Sequence, residues 1–135
     1  MSARPPQTLL VFADNEHRDA LAAVLAGLGV EAFFAANCAQ ALELLRSRNF
    51  ALVFCEDRLT DGDFRMVLAA ASSTGVVVCS RLGGLEQYLQ VMQSGAYDFI
   101  VPPYRPGDLS PILASVLQDY RNEATASGAA PSSGQ

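Results

Sequence analysis

Residues 50–63, FALVFCEDRLTDGD, pass from six consecutive apolar side chains straight into a polar stretch. An unbroken apolar run of this length, bounded by polar residues, predicts a strand covered on both faces, Phe50–Cys55. Glu56–Asp63 then reads as a loop whose Asp61-Gly62 pair signals a turn, and Phe64–Ala71 returns to helical composition. Acidic side chains therefore gather at the carboxyl end of the most apolar strand.

The same alternation extends in both directions. Upstream, Thr8–Ala13 (TLLVFA) and Val30–Ala35 (VEAFFA) read as strands. Between them Leu21, Val24, Leu25 and Leu28 make one helical stripe that stops at Gly29. Asn37 is placed to cap a second helix whose inner stripe is Ala41, Leu44 and Leu45. Downstream, Val76–Cys79 and Asp98–Val101 are strands, the second ended by Pro102 and Pro103, which have no N–H for a ladder. Leu85, Leu89 and Met92 mark the helix between them, and Leu109, Ile112, Leu113, Val116, Leu117 and Tyr120 mark the last one.

Five strands alternating with five helices predict an α/β fold, a doubly wound five-stranded parallel sheet of flavodoxin-like type with strand order 2-1-3-4-5. Ligands in such sheets sit beyond the strand carboxyl ends, here the end carrying Asp14, Glu56, Ser80 and Pro102. The expected organisation is a flexible N-terminus over 1–7, one folded unit over 8–121 and a disordered tail or linker over 122–135, where ten of fourteen residues are Ala, Ser, Gly or Pro.

Composition narrows the function classes. With 135 residues, 50% of them apolar and 17% charged, the chain is expected to bury a full core as a single domain. A net charge of −5 repels a phosphate backbone, so nucleic acid is not an expected partner. No apolar run reaches the roughly 18 residues of a membrane span and the first residues do not read as a secretory signal, which predicts a cytoplasmic protein. Cys38, Cys55 and Cys79 are odd in number and lack CxxC spacing, which favours reduced buried thiols over a disulfide or zinc site.

The segments LLVFADNEHRDALAAVLAGLG (9–29), FALVFCEDRLTDGDF (50–64), VVVCSR (76–81) and SGAYDFIVPPY (94–104), in this order and spacing, resemble a response-regulator receiver domain of two-component signalling over about residues 8 to 120. In that family a strand-end Asp accepts phosphate from a phosphohistidine, two acidic residues hold a divalent cation, a Ser/Thr and a Lys contact the phosphoryl oxygens, and an aromatic residue reports the change. The resemblance puts Glu56 at the acceptor position, Ala13 and Asp14 at the two acidic positions, Ser80 at the switch hydroxyl, Phe99 at the aromatic and Pro102 at the Lys. It also puts Thr60 where a proline is common and Arg81 where a small residue is usual.

These departures imply an atypical, pseudo-receiver site. Glu56 keeps a carboxylate but displaces it, and a misplacement of about 1 Å can cost ~10²-fold in rate. Pro102 removes a cation that would stabilise transferred charge. Magnesium on Asp14 and Glu56 is expected to be weak or absent, and Asp14 alternatively caps the first helix. Glu56 either imitates a phosphorylated acceptor, with Arg81 or Arg58 as a substitute cation, or sits in a pocket no longer used. Asp57 is expected to face away from Glu56. His17, in the polar loop NEHRD, is expected to be a solvated side chain.

The expected function is a receiver-like signalling module that acts by protein contact and is not an enzyme. A histidine kinase or another signalling protein is the expected partner, and Tyr88, Tyr97 and Tyr104 suggest a homodimer through the helix 4, strand 5 and helix 5 face. The alternative is a phosphorylatable response regulator fed by a histidine kinase. A flavodoxin-like redox protein is remote, because ADNEHRD (13–19) is acidic and glycine-free where a flavin phosphate would bind.

Overall fold

The computed structural model describes residues 6–127. Its elements in chain order are β1 (Gln7–Val11), α1 (Asn15–Gly27), β2 (Glu31–Ala35), α2 (Cys38–Ser47), β3 (Leu52–Glu56), β4 (Arg58–Leu59), β5 (Gly62–Asp63), α3 (Phe64–Ala70), β6 (Val76–Cys79), α4 (Leu85–Gln93), β7 (Asp98–Ile100) and α5 (Pro106–Ser127). Five strands form a parallel sheet of order β2-β1-β3-β6-β7, which is the expected 2-1-3-4-5 once the small β4–β5 hairpin is set aside.

Strand alternation builds a core on each face of the sheet. Leu9, Val11, Val53, Cys55, Val76 and Val78 point to the side covered by α2, α3 and α4. Leu10, Leu52, Phe54, Val77 and Cys79 point to the side covered by α1 and α5. Both faces of β3 are buried, which is why its sequence is apolar without alternation. All three cysteines are free and buried. Burial, reinforced by Asp61, pushes the Cys38 thiol up to about 11, and burial likewise raises Cys55 and Cys79.

Two local expectations change. The loop after β3 contains an antiparallel pair, Arg58 with Asp63 and Leu59 with Gly62, so Thr60-Asp61 forms a two-residue turn. That turn aims Asp61 at the start of α2, where its carboxylate accepts the Cys38 and Ala39 N–H groups at 2.7 and 3.0 Å. The last helix runs through Ser127, so residues 122–127, assigned by composition to a disordered tail, are helical. Glu123, Ala124 and Ala126 are good helix formers, and adding residues to an existing helix avoids the cost of nucleation. Residues 128–135 of that expected tail, and 1–5 of the expected N-terminus, lie outside the described residues.

Phe54 is fully buried at the middle of the central strand. Phe54→Ala should therefore lower unfolding free energy by about 3–5 kcal/mol, read from urea denaturation with an unchanged slope.

Candidate functional site

Glu56 is the last residue of β3, buried at 8% exposure, where an unpaired carboxylate would be costly. Its Oε1 accepts the backbone N–H groups of Ala13 at 2.7 Å and Asp14 at 3.3 Å. Its Oε2 meets Nδ1 of His17 at 2.9 Å. The carboxylate is thus held by three donors from the junction of β1 and α1.

His17 is the principal correction to the sequence reading. It is not solvated: its side chain is 2% exposed. The polar segment NEHRD is the first turn of α1, not a loop, and His17, Leu21 and Leu25 are the buried residues of one helix face. The signal was present, since His17 lies four residues before Leu21, but its polarity masked its place on the stripe. The ring packs edge-on to Phe12 and lies parallel to Tyr104, with centroids 4.8 and 5.7 Å away. Its Nε2 meets the Tyr104 hydroxyl at 2.5 Å. Burial, then the neighbouring Cys79, raise the Tyr104 phenol well above its ordinary value, so that hydroxyl keeps its proton. In the neutral ring, Nδ1–H donates to Glu56 and Nε2 accepts from Tyr104.

The substitute cation expected for Glu56 is therefore not an arginine. Arg81 ion-pairs with Oδ2 of Asp14. Arg58 lies exposed on β4 and forms no ion pair with Glu56. Neither long side chain is needed, because the α1 stripe already brings His17 against the carboxylate.

Asp14 stands apart from the strand-end row. Val11 lies opposite Cys55, so continuing the register places Phe12, not an acid, beside Glu56. Asp14 instead caps α1, its Oδ1 accepting the His17 N–H at 3.0 Å. That bond first, and Arg81 second, hold its carboxyl below the ordinary value. All four oxygens of Asp14 and Glu56 thus have protein partners. Among the described residues, no group of three or more His, Cys, Asp or Glu side chains is arranged to hold a metal ion. Magnesium at these two carboxylates would compete with the donors already bound to them.

Ser80 is buried at the end of β6. Its Oγ–H lies 2.8 Å from the Leu82 carbonyl and 3.3 Å from Oδ2 of Asp57. Asp57, as expected, does not share the Glu56 contacts; it faces a cleft of about 590 Å³ between α3 and α4. Gln87 of α4, which the sequence did not single out, donates from Nε2 to Asp57 and Ser80 at 3.2 and 3.3 Å. Phe99 is half-buried, packed on the core and edge-on to Tyr88 at 6.2 Å. Pro102 follows β7 and brings no charge; the contact from this segment to the Glu56 cluster is the Tyr104 phenol two residues on.

No family model matches the chain. The transcriptional regulatory protein ZraR of Klebsiella oxytoca is 28% identical over 125 residues, covering 90% of this chain and 28% of the relative. The chain thus spans a little over a quarter of the length of the curated relatives it matches. Among solved structures, a CheY-like response regulator receiver domain protein from Methanospirillum hungatei superposes with a TM-score of 0.75 at 22% identity, covering 89% of this chain and 99% of that one. The receiver domain of the sensor histidine kinase PA1611 from Pseudomonas aeruginosa, solved with magnesium in its active-site cleft, gives 0.74 at 18% identity, covering 85% and 99%. The chain has the receiver fold, and its sequence resemblance is to response regulators.

Two outcomes follow from the site geometry. His17→Ala leaves Oε2 of Glu56 buried without its partner and should destabilise the fold by about 3–5 kcal/mol in urea denaturation. Because the folded chain lowers the Asp14 carboxyl, its contribution is present above the unfolded-chain value and is lost as pH falls through the folded one. Asp14→Asn keeps a capping side chain but removes that charge, so the acid side of a stability-against-pH curve should become shallower.

Proposed function

We propose that this chain is a receiver-like signalling module of a two-component phosphorelay pathway whose acceptor position is closed by the chain's own hydrogen bonds, and that it acts by protein contact rather than by turnover. The observation that supports this reading is the state of Glu56: Oε1 carries two backbone N–H groups and Oε2 is covered by His17. Attack on a phosphoryl donor would require the carboxylate to abandon these bonds in a buried setting, without the ammonium that Pro102 replaces. The module is accordingly not an enzyme, and it uses no resident metal or cofactor.

A histidine kinase or another signalling protein is the proposed partner. Leu82, Leu85, Tyr88, Leu89 and Val101 are exposed on and beside α4 and β7, an apolar surface suited to such contact or to a second copy of the chain. The acidic balance disfavours nucleic acid. No helix among the described residues is long and apolar enough to cross a membrane; the proposed setting is the cytoplasm.

Incubating the chain with acetyl phosphate and millimolar magnesium should leave its intact mass unchanged. A stable adduct of one phosphate mass would overturn the closed-site reading in favour of a phosphorylatable regulator.

A further inference from the structure

The N-terminal half of α4 is poorly anchored by ordinary means. Gly84 caps it without a side-chain hydrogen bond, and Val91, in its second half, is its buried residue. Leu85 and Leu89 are exposed, and Tyr88 rests at the edge of Phe99. Gln87, half-buried in this stretch, is what ties it to the strand ends.

The Gln87 amide has two hydrogens, one for Oδ2 of Asp57 and one for Oγ of Ser80. Ser80 has a single hydroxyl hydrogen, and the Leu82 carbonyl at 2.8 Å is a nearer acceptor than Asp57 at 3.3 Å. Ser80 also accepts the Leu82 N–H at 3.2 Å, which pins the loop entering α4. Asp57 N–H donates to the Cys79 carbonyl at 3.1 Å, and Ser80 N–H to Ile100 at 3.1 Å, so both residues sit on backbone fixed by the sheet. The bond from Gln87 to an ionised carboxylate is the strongest type available in this cluster.

We propose that Asp57 and Gln87 clamp the first turns of α4 onto the ends of β3 and β6, so that a resident carboxylate does permanently what a transferred phosphoryl group would otherwise do through Ser80. This rests on the closed Glu56 site proposed above, since a chain that accepted phosphate there would not need a fixed substitute. Asp57 and Gln87 are positioning residues: they hold α4, and with it Tyr88 against Phe99, in one arrangement. Glu56 is outside the clamp, because its contacts run to α1 and not to α4.

Hydrogen exchange followed by mass spectrometry on the full chain tests this. Gln87→Ala, a good helix former at a half-exposed site, should speed exchange of amides in residues 85–93 about tenfold, the scale of one charge-assisted hydrogen bond, with α1 unchanged. Asp57→Ala should speed the same amides to no greater extent, because it leaves the Gln87–Ser80 bond, and the double variant should be no faster than Gln87→Ala, which already removes both bonds. Asp57→Asn, which keeps an acceptor oxygen but not its charge, should restore part of the protection. Unchanged exchange over 85–93 in Gln87→Ala, or effects that add in the double variant, would overturn the clamp while leaving the closed Glu56 site standing. A phosphate adduct on the unaltered chain would remove that site's reading and the clamp's role with it, whatever the exchange map.

Discussion

The carboxylate of Glu56 is the constraint around which the functional end is arranged. It ends the central strand, below solvent, in a sheet whose two faces are fully covered. An ionised group there must be surrounded by donors, and the chain supplies them from one place: two backbone N–H groups where β1 turns into α1, and the imidazole one turn into that helix. His17 in turn needs a partner for its second nitrogen, which draws in Tyr104 from beyond β7. One buried charge thereby links β1, α1, β3 and the segment before α5.

This linkage separates the strand-end pocket into two independent polar systems. Glu56, His17 and Tyr104 lie toward α1 and α5, while Asp57, Ser80 and Gln87 lie toward α4. Adjacent residues of a strand point to opposite sides, so Glu56 and Asp57 serve different helices although they are neighbours in sequence. In the receiver resemblance a single phosphoryl group joins the acceptor to the switch hydroxyl. Here the two halves are satisfied separately, each by its own carboxylate.

Arg81 and Asp14 form a partly exposed ion pair beside the site. The ion pair joins the loop after β6 to the N-cap of α1, over the ends of the strands. Its side chains are partly exposed, so its contribution is screened and modest. Its geometric effect is larger: it ties up the Asp14 carboxylate and keeps the Arg81 guanidinium, one of the two candidate cations for Glu56, on Asp14 instead.

The β/α alternation, the strand order, the buried β3 and the position of Glu56 were all legible in the chain, because apolar runs and helical stripes are local patterns that burial enforces residue by residue. The same patterns concealed His17, since a polar residue on an apolar stripe looks solvated until the element facing it is known. Gln87 carried no signal of its own, being one glutamine on an amphipathic helix. The register that puts Phe12 beside Glu56, and the direction of the Arg81 and Asp57 side chains, depend on which strands and loops become neighbours. What the sequence determined was therefore the architecture and the place of Glu56 at the end of the central strand. What only the tertiary structure decided was which donor meets which carboxylate, because hydrogen bonds act over about 3 Å between groups as far apart in the chain as His17 and Tyr104.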